Sequence, residues 1–197
     1  MAEKIVEMTC PGCGARVSIE QKFCDYCHKP VVISTFNTVN DLGVPYVNKY
    51  IKEYDKVLED NPDESSILVS KAMCFFKLGR YDKAIEALEA AQECDFDNSE
   101  LLFYEAIALL HGKKAFMTQR STIDQILELL EAAKSLEPKG IYYYFEAYIR
   151  YDYFFRKHLH VVPDYSEALD FAHQQGVSEY DIEQLFLMLK VARPNNM

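Results

Sequence analysis

SSILVSKAMCFFKLGRYDKAIEALEAAQECDFDN, residues Ser65 to Asn98, is the stretch whose reading decides the fold. Leu68, Ala72 and Phe75 recur at helical spacing. Ala84, Leu88 and Ala91 do the same after a break at Leu78-Gly79-Arg80-Tyr81. Gly79 can take a left-handed helix cap at no steric cost. Asp82 brings a negative charge to the positive end of the second helix. Ala72, Ala84 and Ala91 are small where two helices must approach closely. The stretch is therefore expected to form two antiparallel helices joined by a tight turn.

One such hairpin cannot bury its apolar face alone, so neighbours are required. From Ser99, Leu102, Ala106 and Leu109 repeat the spacing of Leu68, Ala72 and Phe75. Ile126, Leu130 and Ala133 mark a second helix over Ile123 to Leu136, and Glu137-Pro138 closes that unit after a long turn, GKKAFMTQRST. A third unit begins near Gly140, with Ala147 and Ala168 at the corresponding small positions and another long turn, HLHVVPDYS. The small residue at Ala72, the aromatic at Phe75, the Gly79-x-Tyr81 turn, Ala84 and Ala91 together resemble a tetratricopeptide repeat, whose unit is a helical hairpin of about 34 residues. Leu68 stands where that family favours Trp, and Phe96 where it favours Pro. The expected fold class is mostly α. It is a short tetratricopeptide-like superhelix of antiparallel hairpins, with a small N-terminal zinc ribbon of short β-strands. The array is expected over 45–197. It opens with a helix at 45–60 that looks like half a repeat. Repeats follow at 65–98, 99–138 and 140–176, and a capping helix at 178–192.

Residues 1–33 are a different kind of object. Cys10-Pro-Gly-Cys13 and Cys24-Asp-Tyr-Cys27 place two thiols on each of two tight turns, and four sulfurs are what tetrahedral zinc prefers. Arg16 to Ile19 alternates as a short strand. The pattern resembles the short zinc ribbon written CPxCG…FCxxCG, which implies one Zn²⁺ held by Cys10, Cys13, Cys24 and Cys27. Residue 28 departs from it: His28 stands where Gly is usual, and is a minor alternative ligand. A redox pair or a disulfide framework is the competing reading of such cysteines. Lys4, Arg16, Lys22 and Lys29 balance Glu3, Glu7, Glu20 and Asp25. Zinc on four thiolates then makes the module negative, a poor match to phosphate backbones. A structural or protein-docking ribbon is preferred over a nucleic-acid reader. Val31 to Asn40 is expected to end the ribbon, with 34–44 as linker.

In the tetratricopeptide family the first helix of each hairpin lines a concave groove. By that resemblance the lining here is Val69, Met73, Phe76 and Lys77, then Phe103, Ile107, Leu110 and His111, then Ile141, Tyr144, Tyr148, Tyr151 and Asp152. Such a wall is apolar and tyrosine-rich, suited to a peptide or helix of another protein. The alternative is that the chain fills it, through its C-terminal helix or its ribbon. The run IYYYFEAYIRYDYFF puts aromatics on every side of a helix, so that helix must be largely buried.

The rest of the sequence narrows the function classes. A hydrophobic content of 49% in 197 residues supports a packed core. No apolar run spans a bilayer and MAEKIVEMTC does not read as a signal peptide, so a cytoplasmic protein is expected. The net charge of −10 comes without a basic stripe. Cys74 and Cys94 read as small buried hydrophobes. His158-x-His160 reads as loop, as does the small cluster of Lys113, Lys114 and Arg120. Glu128 and Glu131 read as a solvated helix face. No phosphate loop, HExxH or GxSxG occurs, and the chain is expected not to be an enzyme. The function expected is a protein–protein adaptor. The alternative is a nucleic-acid-associated or regulatory factor acting through the ribbon.

Overall fold

Apolar residues at every third or fourth position turn most of the chain into helix. The computed structural model describes residues 5–195 and 197. The fold is mostly α, made of packed helix hairpins with a small two-stranded antiparallel sheet at the N-terminus. Residues 1–4 of the expected ribbon, with Glu3 and Lys4 of its charge balance, lie outside the described residues, as does Asn196 of the tail. The chain divides into two units, Met1–Phe96 and Asp97–Met197.

In the first unit, β1 (Glu7–Thr9) pairs with β2 (Arg16–Ser18), with Met8 opposite Val17 and both buried. Helices α1 (Phe36–Asn40), α2 (Val44–Asp60), α3 (Ser65–Leu78) and α4 (Tyr81–Cys94) follow. Gly79 ends α3 at φ 69, and the amides of Gly79 and Arg80 donate to the carbonyls of Phe76 and Phe75. That pair of bonds is the reversal expected of a left-handed glycine cap. Ala72, Ala84, Leu88 and Ala91 are fully buried along the α3–α4 contact, where small side chains let the helices close in.

The segment expected to be linker carries structure of its own. Phe36 and Val39 of α1 are buried, and α1 packs on α3. Ahead of it, Val31 and Ile33 are fully buried. Tyr50 donates to the Pro30 carbonyl at 2.6 Å and Tyr54 to the Val31 carbonyl at 2.9 Å. The Ile33 amide donates to Ser70 Oγ at 3.0 Å. Burial pushes both tyrosine pKa values up, so the phenols stay protonated and able to donate. Residues 30–33 thus run as a bonded tail along α2 and α3.

The second unit holds α5 (Ser99–Ala108), α6 (Arg120–Leu136), α7 (Gly140–Ile149), α8 (Tyr165–Gln174) and α9 (Glu179–Leu189). Pairs α5–α6 and α7–α8 pack as hairpins, α6 also meets α7, and α9 lies against α7 and α5. Helix α7 continues as a π-helix, Arg150–Phe154, and a 3-10 turn, Phe155–Lys157. The long turn before α6 is not loose. It forms a 3-10 turn, Ala115–Met117, Ala115 is fully buried, and the Phe116 amide donates to Asp152 Oδ2 at 2.8 Å. The buried Glu146 receives Lys134 from α6 at 2.6 Å and Arg150 at 2.7 Å, and Arg150 also donates to the Pro163 carbonyl. The other long turn is held in this way. Asp164 caps α8 by accepting from the Ser166 and Glu167 amides, while Glu167 accepts from the Asp164 amide.

Gly140 marks the tightest approach. A Cβ there would lie 2.6 Å from the Val177 amide nitrogen and 3.0 Å from the Ala172 carbonyl. Both are backbone atoms and cannot swing aside. Gly140→Ala is expected to lower stability by about 1–3 kcal/mol through overpacking, read as an earlier midpoint in urea denaturation at unchanged slope.

Candidate functional site

Two turns of the same design carry the cysteines. The Gly14 amide donates to the Cys10 carbonyl at 2.9 Å, and the His28 amide donates to the Cys24 carbonyl at 2.8 Å. Each turn then bends back: the Cys10 amide donates to Ala15 and the Cys24 amide to Lys29. The residue that reverses the chain is left-handed in both, Gly14 at φ 81 and His28 at φ 56. Glycine does this freely, whereas a residue with a Cβ pays roughly 1–2 kcal/mol. The departure noted at His28 is thus a strained backbone position, and the imidazole does not join the sulfurs. Among the described residues, the His, Cys, Asp and Glu side chains gathered closely enough to hold a metal ion are Cys10, Cys13, Cys24 and Cys27.

Their four sulfurs lie within 4.8 Å of one another. Cys10 Sγ is 3.5 Å from Cys27 Sγ, and Cys13 Sγ is 3.7 Å from Cys24 Sγ. A disulfide would need about 2.05 Å, and all six cysteines are free thiols. Gly12 lets the knuckles meet. A Cβ there would sit 3.0 Å from Cys27 Sγ and 2.8 Å from Lys29 Cδ.

The electrostatics of the cluster call for a cation. Burial pushes the Cys10 thiol up to about 12. The Cys27 backbone amide, aided by that of Tyr26 and against burial, draws Cys24 down to about 7. One thiolate forms readily and neighbouring sulfurs resist the next. A positive ion at the centre removes that resistance, because each thiolate then faces the ion first. The arrangement can hold one metal ion.

The residues expected to line a groove have other neighbours. In the first unit Met73 and Phe76 are fully buried and Val69 is half-buried. Lys77 donates to the Asn40 carbonyl at 2.6 Å and to Asn40 Oδ1 at 3.0 Å, so it holds the end of α1. In the second unit Phe103, Ile107 and Leu110 are buried, and His111 is exposed at φ 50 in the turn after α5. Tyr144 and Tyr148 are buried against Phe186 of α9, at ring distances of 6.4 Å and 5.3 Å. Ile141 is half-buried. Tyr151 is half-buried too and packs on Phe155 and Tyr165, while Asp152 is buried under the long turn. Tyr144 and Tyr148 are covered by α9, the C-terminal helix named in the alternative reading, and Lys77 is taken by the end of α1. The reason is physical: an aromatic, uncharged helix face is stabilised by any apolar cover, and the chain supplies one.

Two smaller expectations also change. Cys74 is buried, but Cys94 is exposed at the end of α4. Arg120 of the small basic cluster pairs with Asp124 and lies over the Phe154 ring. His158 and His160 are exposed, as a loop reading requires.

Residues 51–103 match the family model described as Tetratricopeptide repeat, a stretch that contains the whole α3–α4 hairpin. That hairpin is a tetratricopeptide repeat, as the turn at Gly79 and the alanine-lined contact indicate. No curated protein matches the chain. Among the described residues, no helix is long and apolar enough to cross a membrane.

The Gly-to-His departure that weakens the second knuckle is legible in the repeat of Cys-x-x-Cys-Gly by Cys-x-x-Cys-His, and its cause is the left-handed backbone at His28. His28→Gly is expected to relieve strain and tighten metal binding by up to tenfold, whereas Gly12→Ala weakens it. Competition with a chromophoric chelator measures both. Because residues 30–33 bond to α2 and α3, Cys10→Ser with Cys27→Ser is expected to raise amide hydrogen exchange in α2 as well as in the ribbon. Unchanged protection in α2 would show that the tail holds without the metal.

Proposed function

We propose that this protein is a cytosolic, non-catalytic interaction scaffold whose N-terminal knuckles are closed by one zinc ion. The observation that carries the scaffold reading is the tetratricopeptide match over 51–103, since such hairpins commonly serve to bind other proteins. Zinc is the metal that suits the donors. Four thiolates are its preferred set, and a Zn–S bond of about 2.3 Å puts the sulfurs of a tetrahedron roughly 3.8 Å apart. The observed separations of 3.5 and 3.7 Å lie close to that. When bound, zinc supplies a cross-link between two turns too small to fold by themselves. Six free thiols suit a reducing compartment.

A partner meets the least resistance where self-packing leaves apolar surface open. In the second knuckle Phe23 is 58% and Tyr26 76% exposed. These aromatics flank the sulfurs on a backbone fixed by the metal, and rigid aromatic anchors suit protein docking. Binding in the inner groove instead requires displacing α9 or α1. The nucleic-acid reading has less support, because two of the ribbon's cations are engaged: Arg16 pairs with Glu7, and Lys29 lies 3.6 Å over the Tyr46 ring.

Metal analysis of the purified chain is expected to give one zinc per protein. Replacing Phe23 and Tyr26 with alanine is expected to abolish capture of protein partners while leaving the melting temperature unchanged. Partners retained by that variant but lost on removal of α9 would move the docking site to the inner helix faces.

A further inference from the structure

In a chain of net charge −10, one cavity of the second unit runs against the trend. It has a volume of about 360 Å³, and its walls bring together Lys114, Arg156 and Arg193. These come from three separate places: the long turn before α6, the 3-10 turn after the π-helix, and the stretch after α9. Asp152 is the one carboxylate among the described lining residues. Its oxygens are already engaged, Oδ1 by Arg156 at 2.5 Å and Oδ2 by the Phe116 amide at 2.8 Å. Three cations against one carboxylate leave two positive charges on the walls. Glu179 pairs with Arg193, and with it counted the cations still exceed the acids. Like charges gathered in this way repel one another unless an anion lies between them.

A second observation is independent of charge. Tyr148 also lines the cavity, is 1% exposed, and its hydroxyl makes no hydrogen bond. Buried hydroxyls are nearly always bonded, so one left over at a cavity wall points to a ligand atom. Burial, reinforced by Asp152, pushes the Tyr148 pKa up. The group therefore stays protonated and acts as a donor. Arg156 and the Ala115 backbone shift it the other way, and both Ala115 and Asp152 come near the hydroxyl without reaching hydrogen-bond geometry. The cavity also sits at the π-helix, Arg150–Phe154, which contributes Tyr151 and Asp152. Such widened turns are frequent at functional sites, since they carry a cost in backbone bonding.

We propose that this cavity binds a phosphate group, as the free ion or as a small phosphomonoester. Lys114, Arg156 and Arg193 supply the charge, and the Tyr148 hydroxyl donates to one oxygen. One net positive charge remains with Glu179 counted, and several phosphate oxygens use more of these donors than the two of a carboxylate can. The site is separate from the cysteine knuckles and does not depend on the scaffold reading.

The test is calorimetric titration of inorganic phosphate into the purified full chain at low ionic strength, with acetate and glycerol phosphate run in parallel. Saturable phosphate binding is expected, with acetate at least tenfold weaker. Tighter binding of glycerol phosphate assigns the site to an ester, and equal or weaker binding to the free ion. Lys114→Ala and Tyr148→Phe are each expected to weaken phosphate about tenfold without changing the melting temperature. Neither side chain has an ion pair or hydrogen bond to lose among the described residues. Lys113→Ala, next to the cavity but not in its wall, leaves binding unchanged. No saturable heat, acetate binding equal to phosphate, or full binding in both variants would overturn the proposal.

Discussion

An alanine-lined helical hairpin has more apolar surface than its two helices can hide from each other. This excess governs the rest of the structure. Along α3, Ala72, Met73, Phe75 and Phe76 are all buried, and Phe76 meets the Tyr81 ring at the start of α4 at 6.2 Å. Burying each of the larger side chains is worth about 1.5–3 kcal/mol, so something must lie over them. In the first unit the cover includes α1. In the second, α7 is aromatic on all sides and α9 lies against it through Phe186. Helix faces that could await a partner are thus partly taken up within each unit.

The cysteine knuckles belong to the same economy of cover. A sheet of two three-residue strands cannot build a core, and one buried pair, Met8 with Val17, is most of what it offers. Four sulfurs able to hold one metal ion stand where those apolar contacts are missing. The tail that leaves the knuckles then goes to the helices, with its carbonyls taken by Tyr50 and Tyr54 and its amide by Ser70. Each of those hydroxyls would be costly to bury alone, and each peptide group would be too. Pairing them satisfies both and fixes where residues 30–33 run.

Several charged groups inside the second unit follow the same rule. Glu146 meets two cations, and Asp152 meets a cation and an amide. The long turn before α6 is ordered by that last bond. Tyr148, beside them, has none. The Tyr144 hydroxyl and Gln184 Oε1 are also unbonded, and of these three Tyr148 is the one that lines the cavity with Lys114 and Arg156.

Much of this was legible in the sequence. Helical spacing marked the hairpins, Gly79 marked the reversal between α3 and α4, and two Cys-x-x-Cys turns marked the sulfur cluster. These are local signals, set by backbone sterics and by the short reach between residues three or four apart. That the C-terminal helix lies over Tyr144 and Tyr148 was legible only as one of the alternatives, because apolar contact is non-directional and any apolar face of the right shape will serve. The meeting of Lys114, Arg156 and Arg193 was not legible, because they stand far apart in the chain and carry no shared pattern. Periodicity determined which helices form and which faces are apolar. Only the tertiary structure decided which of those faces stay open, because that depends on what else the chain can bring to them.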